Sequence, residues 1–298
     1  MLRAIALAIA VVWFFRLRLN SPYLGLDWLP YSFSVGSWRW YYGPLATVLF
    51  GATAITIFVR ELIRDQREKQ RMAAELEAGR AVQQVLLGTE MPATPGLRIK
   101  SVYKPAGEVG GDFFQVIPAS ESGILLVVGD VSGKGLQAAM TVSAILGALR
   151  MAPALRPAEL LTALNRILYG RLNGGLVTCC VVSIRPDGNM SAANAGHLSP
   201  YRNGEELTLP PGLPLGVASD PECEESAFSL NPGDTLTFIS DGVVEARSFS
   251  GELFGFDRTA AMSTQSAEVI AEAAQAFGQE DDITVLTLNL TPAKALHA

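Results

Sequence analysis

The chain has 298 residues, 49% of them hydrophobic and 17% charged, with a net charge of −6. That is room for one sizeable core plus an appendage, and the acidic balance argues against a nucleic-acid partner. Three cysteines and two histidines exclude a disulfide framework and a His/Cys zinc site, so any bound metal must be held by carboxylates.

AIALAIAVVWFF (4–15) has signal-peptide dimensions but no small-residue cleavage site after it, and a first membrane span is expected there. A short external loop leads to WYYGPLATVLFGATAITIFV (40–59), which is uncharged and long enough to cross a bilayer. Trp38, Trp40, Tyr41 and Tyr42 gather at its start, and Arg60, Arg64, Arg67, Lys69 and Arg71 follow its end. The positive-inside rule places everything from residue 60 onward in the cytoplasm, with 1–59 as the anchor.

Residues 60–87 read as one proline-free helix rich in Ala, Glu, Arg, Gln and Leu. Leu62, Lys69, Leu76 and Gln83 recur every seven residues, with Met72 and Leu86 near the alternate seam. Two polar members dilute this heptad, so a dimeric coiled coil and a solvated spacer both satisfy it. MPATPG (91–96) closes the linker (60–90) and opens a separate domain over 91–298.

From residue 97 the pattern is mixed. Strands are predicted at 98–103, 112–117, 123–130, 176–185, 189–194, 226–230, 234–240 and 282–290. Helices are predicted at 135–150, 157–172 and 266–277, the second opened by Pro157 with Glu159 in its first turn. Asp187-Gly188 and Asn203-Gly204 are hairpin signals, which favour antiparallel sheet. Cys179 and Cys180 are neighbours in a strand, so they point to opposite faces and cannot bridge.

The glycine-rich loop in ILLVVGDVSGKGLQAAM (124–140) invites a phosphate-cradle reading. Only three residues separate Gly129 from Gly133, and Gly135 stands where Ser or Thr belongs, so the Walker pattern fails. The acids suggest another chemistry. Asp130 and Asp241 end apolar strands, Asp112 follows a double glycine, and Asp281 and Asp282 begin a strand. Carboxylates at strand ends can share a cleft, where they repel one another unless a cation is present. An all-oxygen set suits Mg²⁺ or Mn²⁺, and two such ions can activate a shared water and clamp a phosphoryl oxygen.

VYKPAGEVGGDFF, VVGDVSGKGLQAAM, NAGHLSPY, LPLGV, ISDGVVEA and EDDITVLTL occur in an order that resembles the PPM-type protein serine/threonine phosphatases. The resemblance is to their bacterial branch, typified by stage II sporulation protein E and the stress-response sigma-factor phosphatases, and covers residues 80–291. It implies an α+β fold, an α-β-β-α sandwich of two antiparallel sheets between helices. It also implies two Mn²⁺ or Mg²⁺ ions held by Asp130, the Val131 carbonyl, Asp241 and Asp281, with Asp112 bound directly or through water. Asp282, Gly110 and Gly111 would support those ligands from behind. Lys104, Lys134 and His197 are the candidates for contact with substrate phosphate. His197 also reads as a loop-structuring residue, and Gln115 stands where the branch often carries a carboxylate. GGDFF approaches the GGDEF signature of diguanylate cyclases, but Phe113 occupies the place of the needed acid.

The resemblance thus implies a protein phosphatase, and the apolar spans with their basic flank are expected to place it at the bacterial inner (cytoplasmic) membrane. By the resemblance it would act on a phosphorylated anti-sigma-factor antagonist, while the heptad over 60–87 allows two copies to pair. The alternative is a pseudophosphatase, a module that grips the phosphoprotein without hydrolysing it.

Overall fold

The computed structural model describes residues 32–41, 43–87, 94, 96–107, 109–119, 123–151 and 155–291. The span expected at 4–15 lies outside them. The chain divides into two compact units, residues 1–74 and 75–298.

In the first unit, β1 (Ser32–Val35) and β2 (Trp38–Tyr41) form an antiparallel hairpin with Val35 opposite Trp38. Its turn is Gly36-Ser37, with Gly36 at φ 63°, a glycine-first hairpin signal between strand formers. Helix α1 runs Gly43–Leu87, past the end of the first unit, and contains the helix expected over 60–87. The membrane crossing expected over 40–59 is not shown. Its first residues belong to β2, and among the described residues no helix is long and apolar enough to cross a membrane. Lys69 pairs with Asp65 one turn earlier at 3.1 Å, and Leu62 and Met72 are exposed.

Besides the end of α1, the second unit holds ten strands and five helices among the described residues. The strands are β3 (Leu97–Lys104), β4 (Asp112–Pro118), β5 (Ile124–Val131), β6 (Val177–Ile184), β7 (Asn189–Ala195), β8 (Tyr201–Arg202), β9 (Glu205–Glu206), β10 (Glu225–Ser229), β11 (Thr235–Ile239) and β12 (Ile283–Leu290). The helices are α2 (Leu136–Arg150), α3 (Pro157–Leu168), α4 (Asp241–Val244), α5 (Gly255–Met262) and α6 (Ala267–Gly278). Every expected strand is found to within one residue at each end. Helix α3 stops short of 172 because Tyr169 leaves the helix and Gly170 turns at φ 74°.

Two antiparallel sheets, β10-β7-β6-β5-β4 and β3-β12-β11-β8-β9, make the middle of a four-layer sandwich. Alternation along the strands assigns each residue to a layer. In β4, β5, β6, β7, β11 and β12 the even-numbered residues, such as Val116, Leu126, Val182, Ala192, Phe238 and Leu286, fill the layer between the sheets. Odd-numbered Phe113, Val127, Val181 and Ala193 face the other way, against Val142, Leu146 and Leu149 of α2 and Leu160, Leu161 and Leu164 of α3. Odd-numbered Ile239, Ile283 and Val285 pack on Ile270, Ala271 and Ala274 of α6 and Val243 of α4. Cys179 and Cys180 are free and buried in different layers, as their adjacency requires.

Candidate active site

The even-numbered rows all end at one edge in polar residues. Asp112 on β4 lies opposite Asp130 on β5, and Asp130 lies opposite Thr178 on β6. In the other sheet, Ile239 lies opposite Val285, so the rows continue to Ser240 and Thr284. The Thr284 hydroxyl donates to Asp112 Oδ2 at 2.6 Å and ties the sheets together at that edge. The Ser240 hydroxyl donates to the Asp282 carbonyl at 3.0 Å and accepts the Thr284 N–H at 2.9 Å.

Asp282 is a clamp. Its carboxylate accepts the N–H groups of Ala106 and Gly111, both at 2.8 Å. That draws Ala106 and Gly111 in, and their neighbour Gly110 so close that a Cβ on it would lie 2.0 Å from Asp282 Oδ2. A Cβ on Gly111 would lie 2.6 Å from the Val131 carbonyl and 2.7 Å from Asp130 Oδ1, so only glycine leaves these oxygens room. Asp241 begins α4, and its neighbour Gly242 is packed so tightly that a Cβ would lie 2.0 Å from the Asp282 carbonyl.

Asp130, Asp281 and Asp282, with Gly110, Gly111 and Lys134, line a cleft of about 330 Å³; Asp112 and Asp241 are not among its lining residues. Burial, followed by repulsion from Asp241, Asp281 and Asp282, pushes the Asp130 carboxyl up to about 7. Asp112, 1% exposed, is raised well above the ordinary carboxylate range, chiefly by burial, with Asp130 adding repulsion and Thr284 opposing it. Asp241 is raised by burial, then by Glu245 and Asp281. Oxygen donors that hold back one another's charge are the chemistry that suits a hard divalent cation. Among the described residues, however, no three His, Cys, Asp or Glu side chains are gathered closely enough to hold a metal ion together. Two of the acids are turned to other partners: Asp112 to Thr284, and Asp281 to Lys134, whose Nζ lies 3.2 Å from Asp281 Oδ2.

The predicted phosphate contacts separate. Lys134 lines the cleft. Lys104 is not among its lining residues; its ammonium donates to Gln275 Oε1 at 2.7 Å, because β3 directs it toward α6. His197 is a buried structural residue: Nδ1 meets Thr178 Oγ1 at 2.9 Å, and its backbone N–H and carbonyl both bond the Asn194 side chain. Burial pushes its pKa down to about 4, so it is neutral at pH 7. Gln115 alternates with Phe113 and Ile117 toward the helical layer, away from the face of Asp112.

Sequence reasoning missed Thr178, Ser240 and Thr284. The signal was parity: each shares the even row of buried apolar neighbours, the row that also carries Asp112 and Asp130. It also missed Asn165, a buried α3 residue whose amide donates to the Ala218 and Ser219 carbonyls and whose Oδ1 accepts the Gly216 N–H.

This sandwich, with acids at one end of the layer between its sheets, is of the PP2C class. The SiaA-PP2C domain of Pseudomonas aeruginosa matches it with a TM-score of 0.60 at 22% identity, covering 74% of this chain and 98% of that one. The RsbU and RsbW domains of Rv1364c from Mycobacterium tuberculosis match with a TM-score of 0.57 at 27% identity, covering 68% of this chain and 62% of that one. The family model of stage II sporulation protein E (SpoIIE) matches residues 120–291, and the chain belongs to that family. It is 31% identical over 194 residues to the phosphoserine phosphatase RsbU of Bacillus subtilis, covering 62% of this chain and 58% of RsbU. With 41% of the length of protein IcfG from Synechocystis also covered, the chain spans about half the length of the curated relatives it matches.

Proposed function

We propose that the chain is a protein phosphatase that uses two divalent cations, Mg²⁺ or Mn²⁺, to hydrolyse phosphoserine or phosphothreonine on a regulatory partner of the anti-sigma-factor-antagonist kind. The observation that carries this reading is the side-by-side placement of Asp112 and Asp130, with Asp281 and Asp282 on the wall of the cleft that Asp130 lines and Asp241 close enough to raise the Asp130 pKa. Membership of the SpoIIE family and similarity to RsbU support it.

Asp130, Asp241, Asp281 and the Val131 carbonyl would hold the cations. Once bound, the cations would supply a water activated near neutral pH and neutralise charge on the phosphoryl oxygens. The chain's own residues do the positioning. Thr284 holds Asp112 beside Asp130, and Asp282 holds the Ala106 and Gly111 N–H groups so that Gly111 lies under the Asp130 carboxylate. Below them lies the apolar layer between the sheets.

The test is Mn²⁺-dependent release of phosphate from a phosphoserine protein by the full chain, beside Asp130→Asn. Activity that survives both EDTA and this substitution overturns the reading.

The apolar run before Arg60 and the basic cluster after it support attachment to the cytoplasmic face of a bacterial inner membrane. Recovery of the full chain in the soluble fraction would remove that element. Exposed Leu62 and Met72 on α1 support pairing of two copies through 60–87, and a monomer mass in ultracentrifugation would remove that one.

A further inference from the structure

Among the described residues lining the cleft, Lys134 is the one cationic side chain. Its ammonium lies 3.2 Å from Asp281 Oδ2 and 3.4 Å from the Glu280 carbonyl, while Asp281 Oδ1 accepts the Asp282 N–H at 3.0 Å. Both oxygens of Asp281 are therefore engaged. The Lys134 side chain is 71% exposed, and its position rests on this charge pair rather than on packing. It also sits between Gly133 at φ 103° and Gly135 at φ 79°, where a Cβ at either glycine would meet nothing within 4 Å. The segment thus has both the open space and the backbone freedom to carry the lysine elsewhere.

We propose that Lys134 is a partner-switching cation: it neutralises Asp281 until a divalent ion takes its place, and then turns its ammonium to the phosphoryl group of the substrate. The inference rests on the phosphatase reading. An ammonium and a divalent ion repel one another at a single carboxylate oxygen, so an ion binding to Asp281 Oδ2 must displace Lys134. A phosphoryl dianion entering a wall of carboxylates and backbone then finds Lys134 as its only side-chain counter-charge among the described lining residues. The lysine therefore weakens ion binding and strengthens substrate binding.

Two measurements on the full chain test this. Calorimetric titration with Mn²⁺, without substrate, is expected to give binding about tenfold tighter in Lys134→Met, because both the pair and the repulsion are gone. With phosphocasein at saturating Mn²⁺, KM is expected to rise about tenfold while kcat changes less. Lys134→Arg, which keeps the charge, should restore both values toward wild type. Unchanged or weaker Mn²⁺ binding in Lys134→Met overturns the switch, and so does tighter binding with an unchanged KM. Wild-type chain that binds no Mn²⁺ overturns the phosphatase reading and the switch together.

Discussion

The layer between the two sheets contains two regions built on the same rows of the same strands. In its middle, Leu126, Val182, Phe238 and Leu286 are fully buried against one another, each such side chain contributing about 1.5–3 kcal/mol. At its edge the rows continue into Asp112, Asp130, Thr178, Ser240 and Thr284. Asp112 is as buried as the leucines, yet burial there works against its charge. Alternation fixes where a side chain points; the residue type decides whether that place stabilises the fold or stores unfavourable energy for chemistry.

Opposite substitutions should expose the contrast. Asp130→Asn is expected to lower phosphatase activity by about a thousandfold or more. It should leave the protein no less stable in EDTA, since it removes a carboxylate repelled by Asp241, Asp281 and Asp282. Leu286→Ala is expected to do the reverse, costing about 2–5 kcal/mol in urea unfolding with kcat of the folded fraction little changed. If Asp130→Asn lowers the urea midpoint as much as Leu286→Ala does, the two regions are not distinct in kind.

Much of this was legible in the sequence. Apolar runs ending in aspartate place Asp130 at a strand terminus and Asp241 just beyond one, where it opens α4, and the double glycine marks where Asp112 needs backbone close by. What could not be read were relations that depend on pairing between distant segments. Thr284 looks like an ordinary polar strand residue until its row is known to be Leu286, Leu288 and Leu290. Asp281 and Lys134 are both visible as candidates, but their ion pair exists only once β12 and the loop before α2 meet. The aromatic cluster before residue 42 fits a membrane interface and a strand equally well, and pairing across the Gly36-Ser37 turn makes it a strand.

The hydroxyl at the edge allows a finer cut. Thr284→Val keeps shape and row position but removes the donor to Asp112 Oδ2. The expected cost is about 1–2 kcal/mol, because a buried carboxyl oxygen loses its partner. A double-mutant cycle with Asp112→Ala gives the cause: the cost of Thr284→Val should shrink toward zero when Asp112 is absent. An undiminished cost would mean that the valine disturbs packing instead.

The smallest effect is in pH, where the sign separates the edge from the rest of the molecule. In the folded chain the Asp130 carboxyl holds its proton up to about 7, whereas an unfolded aspartate releases it near about 4. Its contribution to stability is therefore full below about pH 4 and is lost as pH rises through about 7. His197 acts in the opposite sense. Burial holds its pKa at about 4, so its contribution is full above the unfolded value of about 6.5 and is lost as pH falls. The two oppose one another between about pH 4 and 6.5, which leaves the window above it to the aspartates. From pH 6.5 to 8 in EDTA, Tm is expected to fall by about 2–3 °C. Asp112 and Asp241, both shifted upward, push in the same direction. With saturating Mn²⁺ the slope should vanish or reverse, because ion binding favours the ionised acids. Asp130→Asn should flatten the EDTA slope, and a slope unchanged in that variant would place the titrating group elsewhere.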